Sequence, residues 1–245
     1  MVVITPTLAD VAPSNCELKL DSGRCIQYVA ACDANPRKRV SDEELPISRK
    51  NSNGNEQRED WEGVNSLCHS LDNIVEVEME TDFFEGKTVL EIGFSTGLPS
   101  VYAFENGASE ISIHTLSKTS LQLYCKPTLQ RNNIPANKCK YSFGNLDDLR
   151  KALGGKRFDV ILAPDLLNRS ESEFEALHDI LIEAMADGGI CLFSCFTYYP
   201  KVDGTLAAFL ALLKSRREFD ALERWTSPKT DIIQRKVYQV TRSLF

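Results

Sequence analysis

The 245-residue chain is poor in the residues that build metal centres and membrane anchors: three histidines, three methionines and no Cys-x-x-Cys pair. Cys191 and Cys195 are four apart, but they lie in an apolar run with no histidine beside them. That spacing does not make a metal site. Long apolar runs are also missing. The longest, Leu206 to Leu213, falls far short of the roughly 20 residues of a membrane-spanning helix. No basic segment followed by an apolar stretch opens the sequence, so no secretory signal and no membrane association are expected. The eight cysteines then read as reduced thiols, in cytoplasm and nucleus. The net charge of −7 argues against direct nucleic-acid binding. What is present, 42% apolar and 26% charged residues, is the composition of an ordinary globular domain.

From Asp33 to Asp60 the only apolar residues are Ala34, Val40, Leu45 and Ile47. Such a stretch cannot bury enough surface to offset the entropy of ordering. Residues 33–60 are expected to be a disordered linker, between a loosely docked N-terminal arm (1–32, with a short strand at Ile26 to Val29) and a domain over 61–245. Pro36-Arg37-Lys38-Arg39-Val40 is a small basic cluster beside Asp42, Glu43 and Glu44. It reads as a solvated stretch, with a nuclear address as the alternative.

After Trp61 strand and helix signals alternate. Strands are expected at 87–93, 110–114, 139–143, 158–163 and 190–196, with helices at 98–105, 119–131 and 146–153 between them. Ser170 and Glu173 form a capping box ahead of a helix stopped by Gly188-Gly189, and Leu206, Phe209, Leu210 and Leu213 line another. Segments 221–225 and 236–241 suit a terminal antiparallel hairpin. The fold class is α/β: a doubly wound, mostly parallel seven-stranded sheet with helices on both faces.

Glu91-Ile92-Gly93-Phe94-Ser95-Thr96-Gly97-Leu98 stands between the first strand of this sheet and its first helix, where such folds bind ligands. Glycines there let the backbone turn sharply and approach a ligand. A dinucleotide site would need a third glycine, and Pro99 follows instead. Gly93-Phe94-Ser95-Thr96-Gly97 matches the G-x-S-x-G hydrolase elbow, but no histidine follows His178 to complete a triad. The best fit is S-adenosylmethionine, with Glu91 two residues before the first glycine to meet the ligand's amino group.

From Trp61 onward the sequence resembles the histidine protein methyltransferases of the seven-strand, methyltransferase-like group. Trp61-Glu62-Gly63-Val64-Asn65-Ser66-Leu67 is similar to the family's opening segment. Glu91 to Gly97 followed by Ala103-Phe104 is similar to its cofactor loop and helix end. Phe158-Asp159-Val160-Ile161-Leu162-Ala163-Pro164-Asp165 is similar to its fourth-strand motif. The resemblance implies a class I methyltransferase fold of the Rossmann-like kind and S-adenosyl-L-methionine as cofactor. It also implies methyl transfer to a ring nitrogen of a protein histidine, a large-subunit ribosomal protein being the best-known substrate type. Cofactor-binding positions are then Glu91, Gly93, Ser95, Gly97, Thr115 and Trp61. Asp165 is the candidate catalytic residue, a carboxylate that could hold the acceptor imidazole in one tautomer.

The departures from the family pattern matter chemically. Ser95 replaces a glycine, Cys68 a tryptophan and Asn168 a tyrosine. Thr115 stands where the fold offers an acid to both ribose hydroxyls. A hydroxyl in place of that carboxylate loses roughly 1.5–3 kcal/mol, about a 10- to 150-fold weaker cofactor. Two functions follow: a protein-histidine N-methyltransferase, or a catalytically inactive methyltransferase fold kept for binding or scaffolding. The polar composition of the linker carries a prediction of its own. Limited trypsin digestion should cut between Arg37 and Arg58 and leave a compact C-terminal fragment; protection of that stretch would contradict it.

Overall fold

The structure, a computed structural model, describes residues 11–33, 61–231 and 233–244. The linker expectation and the basic cluster at Pro36 to Val40 lie outside the described residues.

Strands β1 (Val11–Lys19) and β2 (Cys25–Asp33) form an antiparallel hairpin closed by a turn at Gly23, whose φ is +87°. Where the sequence suggested a loosely docked arm, the hairpin is packed into the domain. Leu18, Leu20, Ile26, Tyr28 and Ala30 are buried in one cluster with helices α1 (Trp61–Asp72) and α2 (Leu98–Glu105). A lone two-stranded hairpin is marginal in water, so this burial is what holds it. Polar contacts set its register on the domain. Asn132 Nδ2 donates to Gln27 O at 2.6 Å and Asn132 Oδ1 accepts from Gln27 N at 3.2 Å, so one side-chain amide satisfies the strand edge as a neighbouring strand would. Val29 N donates to Thr128 Oγ1 at 3.0 Å. At the turn, Asp72 accepts from Ser22 N and Ser22 Oγ, both at 2.8 Å, and from Tyr102 OH at 3.3 Å.

The main sheet has seven strands in the order β5-β4-β3-β6-β7-β9-β8. They are β3 (Thr88–Glu91), β4 (Glu110–Thr115), β5 (Cys139–Phe143), β6 (Phe158–Ala163), β7 (Met185–Phe196), β8 (Phe219–Thr226) and β9 (Arg235–Arg242). Pairing is parallel through β5, β4, β3, β6 and β7, and antiparallel for β9 against β7 and β8 against β9. The expected doubly wound sheet with its terminal hairpin is therefore the observed one. Apolar runs such as Val160 to Ala163 are buried because both faces of the parallel strands are covered.

On one face lie α1, α2, a helical stretch made of α3 (Lys118–Ser120), a π turn (Leu121–Cys125) and α4 (Lys126–Arg131), and the N-terminal hairpin. On the other lie α5 (Leu146–Leu153), α6 (Phe174–Ala184) and α7 (Leu206–Arg216). Two local expectations shift. The capping box at Ser170 and Glu173 is present but opens through a 3-10 turn (Glu171–Glu173). Helix α6 ends at Ala184, so Gly188 and Gly189 are not its stop. They serve an irregularity in β7, where the register with β6 jumps between Phe158 and Val160. Gly188 takes φ +75° there, and a Cβ on Gly189 would press on the carbonyls of Ala186 and Phe158 at 3.0 Å. Among the described residues no helix is long and apolar enough to cross a membrane.

Because Asp72 is 1% exposed and joins hairpin, α1 and α2, Asp72→Ala should cost about 2–3 kcal/mol. A urea midpoint equal to that of the unmutated chain would show that the hairpin does not depend on it.

Candidate functional site

The strand order reverses direction between β3 and β6, so the loops leaving β3, β4, β5 and β6 at their carboxyl ends open around one crevice. The loop after β3 is built around Glu91, which is fully buried. Its Oε1 accepts from the backbone N–H of Thr96 at 2.8 Å and of Gly97 at 2.9 Å. Its Oε2 accepts from Ser100 N at 3.1 Å and Ser100 Oγ at 2.5 Å. The carboxylate thus satisfies donors at the start of α2 and sits at its positive end. Burial pushes the Glu91 carboxyl up from its ordinary value, and these bonds to Ser100, Gly97 and Thr96 pull the other way. Glu91 faces the loop's own interior and is not among the residues lining the cavity beside Gly93.

Gly93 takes φ +81°, and a Cβ there would run into the Pro164 carbonyl. Phe94 N donates to that same carbonyl at 2.8 Å. Its glycine is required by the close approach of the β3 and β6 loops. An arginine at 93 would therefore break the turn as well as block the crevice. Gly97, at φ +86°, sits over the Cys125 carbonyl and sulfur. Ser95, the residue in place of a glycine, is 9% exposed, and its Oγ has no hydrogen-bond partner among the described residues.

A cavity of about 130 Å³ opens beside Gly93. Ile92, Leu146, Leu149, Leu166 and Leu177 give it apolar walls, with Leu116 on the β4 side. His114, Asn145, Arg169 and Glu173 are its polar residues. Thr115 is not among the residues that line this cavity. Side chains alternate along a strand, so His114 near the end of β4 faces the cavity, Leu116 lines it from just beyond the strand, and Thr115 turns away. Its hydroxyl donates to Ser117 O at 2.9 Å and it is 1% exposed. An aspartate at 115 would place a charge at a position only 1% exposed. His114 Nε2 stands 3.1 Å from Gly144 O, which only accepts, so Nε2 carries the proton and Nδ1 accepts from Ser142 Oγ at 2.9 Å. Burial holds the His114 pKa below its ordinary value, in keeping with that neutral ring.

Asp165 follows β6 with φ +46°, a conformation costly for a non-glycine residue. It is 3% exposed. Tyr199 OH donates to its Oδ1 at 3.0 Å, its N–H donates to Ser194 Oγ at 3.1 Å, and Ser194 Oγ donates to Gly63 O at 2.7 Å. A Cβ on Gly63 would overlap the Asp165 carboxylate, so the first turn of α1, which Trp61 begins, is packed directly on this acid. Burial, then the Asp165 charge, pushes the Tyr199 phenol well up. Sequence reading missed Tyr199, Arg169 and Leu116, and took Glu173 only as a cap. Nothing in their spacing marks them, since loops from different strands bring them together.

The sheet order, the strand-end crevice and the glycine turn together define the class I methyltransferase fold. Among solved structures, a Streptococcus mutans chain named as a candidate SAM-dependent methyltransferase is similar at TM-score 0.56 and 16% identity, over 94% of this chain and 56% of that one. The O-methyltransferase from Bacillus cereus in complex with SAH is similar at TM-score 0.50 and 12% identity, over 72% and 91%. No protein-family model matches the chain. The chain belongs to one family with an uncharacterized Caenorhabditis elegans protein, 66% identical over 245 residues and the full length of both. It is also 31% identical over 145 residues to the histidine protein methyltransferase 1 homolog of Dictyostelium discoideum. That match covers 59% of this chain and spans 46% of the Dictyostelium protein.

Since two loop N–H groups, a helix N–H and a hydroxyl all converge on Glu91, Glu91→Ala should lower stability by about 2–4 kcal/mol. Thermal or urea unfolding reads it, and a loss below about 1 kcal/mol would show that the loop holds its shape without the carboxylate.

Proposed function

We propose that the chain is an S-adenosylmethionine-dependent methyltransferase whose acceptor is a ring nitrogen of a protein histidine. The cavity at the ends of β3 to β6, with Gly93 in its wall, carries the cofactor part of this reading. The acceptor part is supported by the similarity to the Dictyostelium histidine methyltransferase homolog. The residues present fit the nucleoside end of the cofactor. At about 130 Å³ the cavity is below the roughly 300–1,000 Å³ of a whole-ligand pocket, so it takes a ring-sized part between its leucines. The unpartnered Ser95 Oγ supplies a further hydrogen-bonding group in the adjoining loop.

When bound, S-adenosylmethionine supplies an electrophilic methyl group on a sulfonium. The chain's own contribution is positioning. Glu91 holds the loop in one shape, and Gly93 and Gly97 permit its turns. Asp165, assigned from sequence to the acceptor imidazole, accepts through Oδ1 from Tyr199 OH and packs under α1. Its role in this reading is to hold the first turn of α1 on the end of β6, as a positioning residue. A protein substrate such as a large-subunit ribosomal protein, and residence in cytoplasm and nucleus, belong to the same proposal.

A second reading, a binding module without catalysis, is favoured by one observation: Thr115 and Asp165 are turned inward, so β4 and β6 present no free carboxylate to the crevice. Radiolabelled methyl transfer into an extract lacking the native activity, followed by amino-acid analysis, separates the two. Methylhistidine is the expected product. No label in histidine, where a related enzyme gives it, would overturn the catalytic reading, and retained binding of the demethylated cofactor would leave the binding module.

A further inference from the structure

The cavity has no carboxylate from β4, yet it is not without an acid. Glu173 reaches it from the 3-10 turn before α6, beside Arg169. Each residue commits part of its head group to the chain and leaves the rest. Arg169 Nε donates to Leu166 O at 2.8 Å, while its terminal nitrogens make no hydrogen bond among the described residues. Glu173 Oε2 accepts from Ser170 N at 3.2 Å, which leaves Oε1. Arg169 Nη1 and Glu173 Oε1 stand 3.8 Å apart, beyond hydrogen-bond distance. The gap suits one hydroxyl that donates to the carboxylate and accepts from the guanidinium.

We propose that Arg169 and Glu173 bind the ribose hydroxyls of the nucleoside held in this cavity, taking the part that Thr115 does not fill. The proposal rests on the cofactor reading above. The pair is more than a surface i,i+4 contact. Such contacts contribute about 0.3–0.5 kcal/mol, which does not account for an arginine side chain only 12% exposed on a cavity wall. Both side chains are already held by backbone contacts, so little rotamer freedom is left to lose on binding. The remaining polar side chain of the β4 wall, His114, has both ring nitrogens engaged with Ser142 and Gly144.

Calorimetry of the full chain with S-adenosylhomocysteine and its 2′-deoxy and 3′-deoxy analogues tests this. Glutamine serves in a capping box as glutamate does, so Glu173→Gln keeps the bond to Ser170 N and the fold. That variant should bind S-adenosylhomocysteine about tenfold more weakly, while its affinity for at least one deoxy analogue stays at the unmutated level. Arg169→Gln should show the same pattern. Equal losses for all three ligands, or no loss, would overturn the proposal and leave the cofactor reading standing. Failure of the unmutated chain to bind S-adenosylhomocysteine at all would overturn both.

Discussion

A single buried carboxylate organises the crevice. Taking Glu91 out of water costs several kcal/mol, and only the donors of Thr96, Gly97 and Ser100 offset it. Those donors converge only when the loop after β3 has its present turn and α2 starts where it does. The loop shape, the start of α2 and the end of β3 are therefore one arrangement. Gly93 extends it to β6, since its backbone lies so close to Pro164 that no side chain fits between them.

Helix α1 is held at both ends by aspartates of opposite position. Asp165, from the end of β6, packs under its first turn, near the positive end of the helix dipole. Asp72 is its last α-helical residue, where the backbone runs on into a π turn (Asn73–Val77), and it accepts from Ser22 and Tyr102. The first contact packs α1 on the end of β6, and the second ties it to the N-terminal hairpin. The hairpin thus belongs to the same core as the loop that shapes the site.

This division of carboxylates has a functional consequence. Glu91 and Asp165 shape the crevice from within, and the charges left on its wall are Arg169 and Glu173. Glu91 and Asp165 each bind groups of the chain itself. Polar recognition passes to residues outside their motifs.

Much of the architecture was legible from the residues alone. Apolar runs such as Val160 to Ala163, punctuated by helix signals and the capping pair Ser170 and Glu173, determine a doubly wound sheet, because burial on two faces and a 3.6-residue period are local properties of sequence. The glycine turn was equally plain, because positive φ at Gly93 and Gly97 is a backbone requirement. Which way each side chain faces was not. His114 and Thr115 are adjacent in sequence and take opposite sides of β4, and which side carries the cavity is decided by the elements packed on each face of the sheet. The docking of the hairpin, the engagement of Asp165 by Tyr199 and the placement of Arg169 and Glu173 on one wall join residues far apart in the chain. Only the tertiary structure decides them, because a charge is buried or offered to a ligand according to the donors that other segments bring to it.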